Sequence, residues 1–218
     1  MSNPDSFIEE VTEEVRRDRL FRLFRKYGWI GVVIILALVG GTAWTEWTKA
    51  RDAARAQAFG DALIDAMDQG TPEERREALA AVPSDAEQAA ILNLILAADP
   101  AEDKATALAA LDKVAADASL SPAYRDLAVL RRVLVAGADQ PVADRRTALD
   151  GIAVAGRPYR VLALEQLAYL LIEDGKIDEA IAALTALVQD QEASGALRAR
   201  VTQVITALGG TLPEVTGG

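Results

Sequence analysis

Hydrophobic and polar positions follow two regimes along this chain. From Tyr27 to Thr45 nineteen consecutive residues, YGWIGVVIILALVGGTAWT, carry no charge. At about 1.5 Å per residue a helix of that length covers about 28 Å, close to the ~30 Å hydrocarbon core of a bilayer. All three tryptophans, Trp29, Trp44 and Trp47, stand at its two ends, with Tyr27 beside the first. Amphipathic rings settle at that headgroup depth. The run predicts one transmembrane helix over residues 27–47, with everything after it tethered to a surface. Beyond it, apolar residues recur at helical spacing, alanine and leucine dominate, and β-branched runs are short.

Turn and cap residues divide this second regime into helices. The first continues from the anchor through KARDAARAQAFGDALIDAMDQ and ends near Gly70. Thr71-Pro72-Glu73-Glu74 reads as an N-cap with proline at the first helical position and acids in the first turn. That helix reaches about Ala81 and is stopped at Pro83. Ser84-Asp85 caps AEQAAILNLILAAD, which ends at Asp99-Pro100. Further helices are predicted over 102–117, 122–137, 142–154, 158–174, 177–190 and 194–208. The breaks fall at Ser121-Pro122, Gln140-Pro141, Gly156-Arg157-Pro158, Asp174-Gly175 and Ser194-Gly195.

Helices of this length with short breaks make helical hairpins, and hairpins in series suggest a repeat. The clearest unit is residues 161–189, VLALEQLAYLLIEDGKIDEAIAALTALVQ. It resembles the tetratricopeptide repeat: Leu164 and Leu167-Ala168 in the first helix, Gly175 at the turn, Ala180 and Leu184 in the second. Ala168 and Ala180 stand where two helices cross closely, so a larger side chain would push them apart. Degenerate copies precede it, with Val129, Leu130, Leu149 and Ile152, then Ile91, Leu92, Leu111 and Val114, in matching positions. An insertion is expected around 137–146. The expected fold is all-α: one N-terminal transmembrane helix, then a tetratricopeptide-like α-solenoid of helical hairpins over 48–208. The last helix (Leu197, Val201, Val204, Ile205, Leu208) caps the stack, and a disordered tail follows over 209–218.

Charge orients the anchor. Arg16, Arg17, Arg19, Arg22, Arg25 and Lys26 crowd the approach to the apolar run, whereas only Lys49 and Arg51 follow it closely. Lys and Arg collect on the cytoplasmic side, so residues 1–26 are expected inside and the repeats outside, in the periplasm of a Gram-negative bacterium. Gly41 and Ala43 would also suit a signal-peptidase site. The long acid-rich leader (Glu9, Glu10, Glu13, Glu14) and the length of the run favour an uncleaved anchor. Arg22, Arg25 and Lys26, interleaved with Leu20, Phe21, Leu23 and Phe24, read as an amphipathic segment at the membrane interface, with Trp29, Trp44 and Trp47 as its aromatic companions. Ala37 and Gly41 form a small-xxx-small pair that would admit a second helix.

Composition removes most chemistry. Residues 49–218 hold 17 basic and 26 acidic side chains, a difference of −9, so nucleic acid is not an expected partner. The chain has no cysteine and no histidine, which removes disulfides, thiol chemistry, a lipobox and the commonest general base. Catalytic residues, cofactor, metal and small-molecule substrate are all expected to be absent. Glu173-Asp174 with Asp178-Glu179 brackets a helix turn and suits the helix dipole. Asp99, Glu102 and Asp103 lack calcium-loop spacing and read as N-capping residues.

Residues 9–68 carry a more specific likeness. EEVRRDRLFRLFRKYGWIGVVIILALVGGTAWTEW, followed directly by KARDAARAQAFGDAL, resembles the start of bacterial inner-membrane proteins whose periplasmic domain is tetratricopeptide-like and which serve as ancillary subunits of the SecYEG translocon. The resemblance implies a non-enzymatic accessory of protein export that contacts translocon subunits, periplasmic chaperones and emerging substrates. An envelope-assembly or cell-division scaffold is the alternative. In tetratricopeptide stacks the first helix of each pair lines a concave face. In this register that face holds Leu92, Asn93, Leu96, Leu130, Arg131, Leu134, Glu165, Gln166 and Tyr169, a mixed apolar groove suited to extended polypeptide. The same leucines could instead close the core.

Overall fold

The computed structural model describes residues 4–211 apart from residue 102, with side chains from residue 25 onward. Regular structure among them is entirely helical: α1 (Pro4–Met67), α2 (Pro72–Ala81), α3 (Ala86–Leu96), α4 (Lys104–Ala116), α5 (Pro122–Ala136), α6 (Val142–Asp150), α7 (Arg160–Glu173), α8 (Ile177–Gln189) and α9 (Gly195–Ala207), with a 3-10 turn at Gly137–Asp139. The predicted helices are all present, with their ends moved by a few residues. Reciprocal capping boxes start α2 and α3. Thr71 Oγ1 accepts from Glu74 N while Glu74 accepts from Thr71 N, and Asp85 with Gln88 repeats the arrangement. Asp103 N-caps α4 by accepting from Thr106 N and from its hydroxyl, and Ser194 caps α9.

Three differences from expectation have local causes. No break separates the basic segment from the apolar run, because no proline or αL glycine interrupts α1 between them. The expected insertion at 137–146 is a 3-10 turn after Gly137, whose φ of +55° ends α5, followed by Pro141 opening α6. Gly209 and Gly210, placed in the tail by sequence, close α9 instead. Gly209 has φ +81°, Gly210 N donates to Ile205 O, and a Cβ on Gly210 would lie 2.9 Å from Ile181 Cγ2. Residues 212–218 lie outside the described residues.

The chain divides into two compact units, residues 1–60 and 61–218. Sequence placed the boundary at 47/48. Residues 49–58 are exposed on every side of α1 and join no core, so compactness divides the chain beyond them.

In the second unit three apolar cores share helices in sequence. The first gathers Ala90, Ala107, Leu111, Val114 and Ala128 from α3, α4 and α5. The second joins Leu130 and Val133 of α5 to Leu149 of α6, Ile152 in the turn after it, and Ala163 and Leu170 of α7. The third joins Ala168 of α7 to Leu184, Leu187, Val201 and Ile205 from α8 and α9. Each core thus borrows a helix from the one before, so helices adjacent in sequence pack on one another. Ala163, Ala168 and Ala180 are fully buried, which fits methyl groups at close helix crossings.

Arginines fasten the joints. Arg131 on α5 donates to Leu94 O and Ala97 O at 2.8 and 2.7 Å, satisfying the orphan carbonyls at the end of α3. Arg198 on α9 does the same for α8 through Val188 O and Asp190 O. Arg145, nearly buried on α6, grips the Glu173 carboxylate at the end of α7 and donates to Gln140 O. Arg157 ahead of α7 pairs with fully buried Asp126 on α5.

Candidate partner-binding surfaces

In the first unit the apolar run of α1 has no covering. Ile30, Val32, Val33, Ile34, Ile35, Leu36, Leu38 and Val39 are all exposed. The helix is long and apolar enough to cross a membrane. Its polar ends are marked by aromatic rings and cations in contact. Lys26 Nζ lies 5.4 Å from the Tyr27 ring centroid, Arg51 lies 5.6 Å from that of Trp47, and the Trp44 and Trp47 centroids are 5.5 Å apart. Such contacts tie the charged groups to amphipathic rings where the apolar surface stops. Trp29 is exposed at the other end, and Arg25 is exposed beside Lys26. The side chain of Arg22 lies outside the described residues.

In the second unit the nine groove residues separate into four kinds. Leu92 and Leu130 line no surface: both are buried, Leu130 in the core that α5 shares with α6 and α7. Arg131 is held by the α3 carbonyls and Asn93 donates to Ala89 O. Leu96 and Gln166 are half-buried, and Leu134 alone is openly exposed, at 54%.

Glu165 and Tyr169 belong to an ionic clasp. Glu165 is buried, and its carboxylate accepts from Arg200 Nε and Nη2 at 2.6 and 2.7 Å and from the Tyr169 hydroxyl at 2.7 Å. Burial, then the hydrogen bond to Glu165, raises the Tyr169 pKa to about 12. The carboxylate likewise raises the Arg200 pKa. The clasp ties α7 to α9 with bidentate geometry. Sequence reading passed over Arg200, yet it stands one repeat length after Glu165, so the repeat shift that found the leucines also marks it.

Of the acidic residues singled out from sequence, Glu102 lies outside the described residues and most of the others serve caps and joints. Asp103 is the α4 cap, its pKa lowered chiefly by the Thr106 hydroxyl, and Glu173 is lowered by Arg145. Asp174 pairs with Arg146 and Lys176. Asp178 and Glu179 occupy the first turn of α8, as dipole reasoning expects.

Compared with family models, curated proteins and solved structures, this chain matches none. Its functional reading therefore rests on its own surfaces. Two of the surfaces expected from sequence remain open for partners: the apolar length of α1 in the first unit, and in the second the half-open helix faces around Leu96, Leu134 and Gln166.

Proposed function

We propose that this protein is a non-enzymatic, membrane-anchored scaffold that assists protein export. On this reading α1 spans the bacterial inner membrane once with its N-terminus in the cytoplasm. The tetratricopeptide-like repeats lie in the periplasm, beside the SecYEG translocon, and contact periplasmic chaperones and emerging substrates. The observation that carries the reading is the pairing of an uncovered apolar helix edged by aromatic rings with a unit whose three cores share helices in series. A serial stack exposes helix faces rather than enclosing a reaction site, and the pronounced ionic groups are spent on caps and joints. The half-buried residues Leu96, Gln166 and Tyr169 and the exposed Leu134 offer broad, mixed contact of the kind extended polypeptide accepts.

Gentle detergent extraction and affinity isolation of the full chain should recover translocon subunits or a membrane-anchored periplasmic chaperone. Recovery of peptidoglycan-synthesis or division proteins in their place would move the assignment to an envelope-assembly scaffold.

A further inference from the structure

The last two turns of α1, within the second unit, present a face that nothing among the described residues of that unit covers. At about 3.6 residues per turn, Ala66 points inward and is buried, while Met67 and Ile64 stand together on the outer flank, 45% and 60% exposed. Asp68, Asp61 and Asp65 continue round the same helix. All three are exposed, and none forms an ion pair with a described residue. Met67 is also the lip of a cleft of about 230 Å³ whose walls include Leu79, Ile95 and Leu96. The cleft's own charged lining is balanced, Arg75 and Arg76 against Asp99 and Asp103, with Arg76 tied to Asp103 and to Glu73 outside it. The uncompensated charge is the line of aspartates on α1.

We propose that this ridge and cleft receive a basic amphipathic helix from a protein partner. Large exposed apolar side chains at the edge of a cleft suit an apolar helix stripe laid into it. Three carboxylates at i, i+4 and i+7 select cations at the same spacing along the flank of that helix. Charge disfavours the other occupants. A second copy of this acidic chain (−10 in all) carries its one basic amphipathic segment ahead of the membrane run, on the opposite side of the bilayer in the reading above, and its remaining surface would set carboxylates against carboxylates. Anionic lipid headgroups would meet the same repulsion. An extended apolar chain would leave the aspartate line unused. The site shares Leu96 with the groove invoked above, but its ridge and aspartates lie outside that groove and do not depend on which envelope process the protein serves.

The test uses the full chain in nanodiscs of zwitterionic phosphatidylcholine. The probes are fluorescent helical peptides with leucines at i, i+3, i+4 and i+7 and lysine, serine or glutamate on the flanks, with empty discs as background. The lysine peptide should bind saturably, about tenfold tighter than the serine peptide and more loosely as salt rises, with the glutamate peptide weakest. Combining Asp61→Asn, Asp65→Asn and Asp68→Asn should erase the lysine advantage. Combining Ile64→Ser and Met67→Ser should weaken all peptides by about tenfold. Both sets alter exposed side chains, so the melting curves of the variants should match the wild type. Equal binding of the lysine and glutamate peptides, variants indistinguishable from wild type, or no signal above empty discs would each overturn the proposal.

Discussion

At the scale of single residues the repeat register reduces to which alanine methyls face a neighbouring helix. Ala180 on α8 has no exposed surface, whereas Ala182 is exposed. Replacing Ala180 with phenylalanine forces a ring into a closed crossing and should destabilise the second unit by about 1–3 kcal/mol. Ala182→Phe adds a ring in solvent and should stay within about 0.5 kcal/mol of wild type. For a unit of this size the difference is a drop of several degrees in melting temperature for the first substitution alone. Thermal melts of the full chain in detergent compare them directly. Equal shifts would mean that the burial assigned to α8, and the helix crossing argued from it, is wrong.

At the scale of elements, the α7–α9 joint rests on the Glu165 clasp. Arg200→Met removes two of the three hydrogen bonds to a buried carboxylate. The expected cost is about 1–3 kcal/mol, held down because the Arg200 side chain is itself half-exposed and water can reach the site. Changing Glu165 and Arg200 together to apolar residues should cost less than the two single changes summed. Both quantities come from denaturant midpoints. Tyr169 gives the same joint a spectroscopic signature. An ordinary tyrosine titrates near 10, and here the folded state holds the neutral form to about 12. A folded pKa above the unfolded one stabilises the fold fully below about pH 10, and that contribution is lost as pH rises through about 12. Ultraviolet titration should show a late phenolate step that Tyr169→Phe removes. A Tyr169 step near pH 10 would mean that the ring is not held by Glu165. Helix positions were legible because proline, glycine and Ser/Thr/Asp caps punctuate the chain locally. Thr71, Asp85, Asp103 and Ser194 all cap helices. The clasp was not, since the partner of a buried acid lies a full repeat away and no local pattern names it. Leu92 and Leu130 illustrate the same limit: their spacing marks an apolar face but not whether a neighbouring hairpin already covers it.

For the whole molecule, hydropathy alone found the uncovered stretch of α1, because nineteen residues without a charge stand out in a chain of which 26% is charged. The ridge at Ile64 and Met67 escaped notice since those residues look like ordinary core positions of an amphipathic helix; only the packing reveals which flank is left bare. Orientation is read from charge, six Lys and Arg crowded ahead of the run against Lys49 and Arg51 behind it. Because the chain contains no cysteine, every introduced thiol is unique. Ser6→Cys reports on the N-terminal side and Ala182→Cys on an exposed position of α8. On intact spheroplasts a membrane-impermeant maleimide should label position 182 and leave position 6 untouched, with both labelled after permeabilisation. The inverse pattern would put the repeats in the cytoplasm, out of reach of periplasmic chaperones and emerging substrates, and the export reading would fall with the topology. Labelling of both positions in intact spheroplasts would show that α1 does not span the membrane, and its bare apolar length would then need a protein rather than a lipid cover.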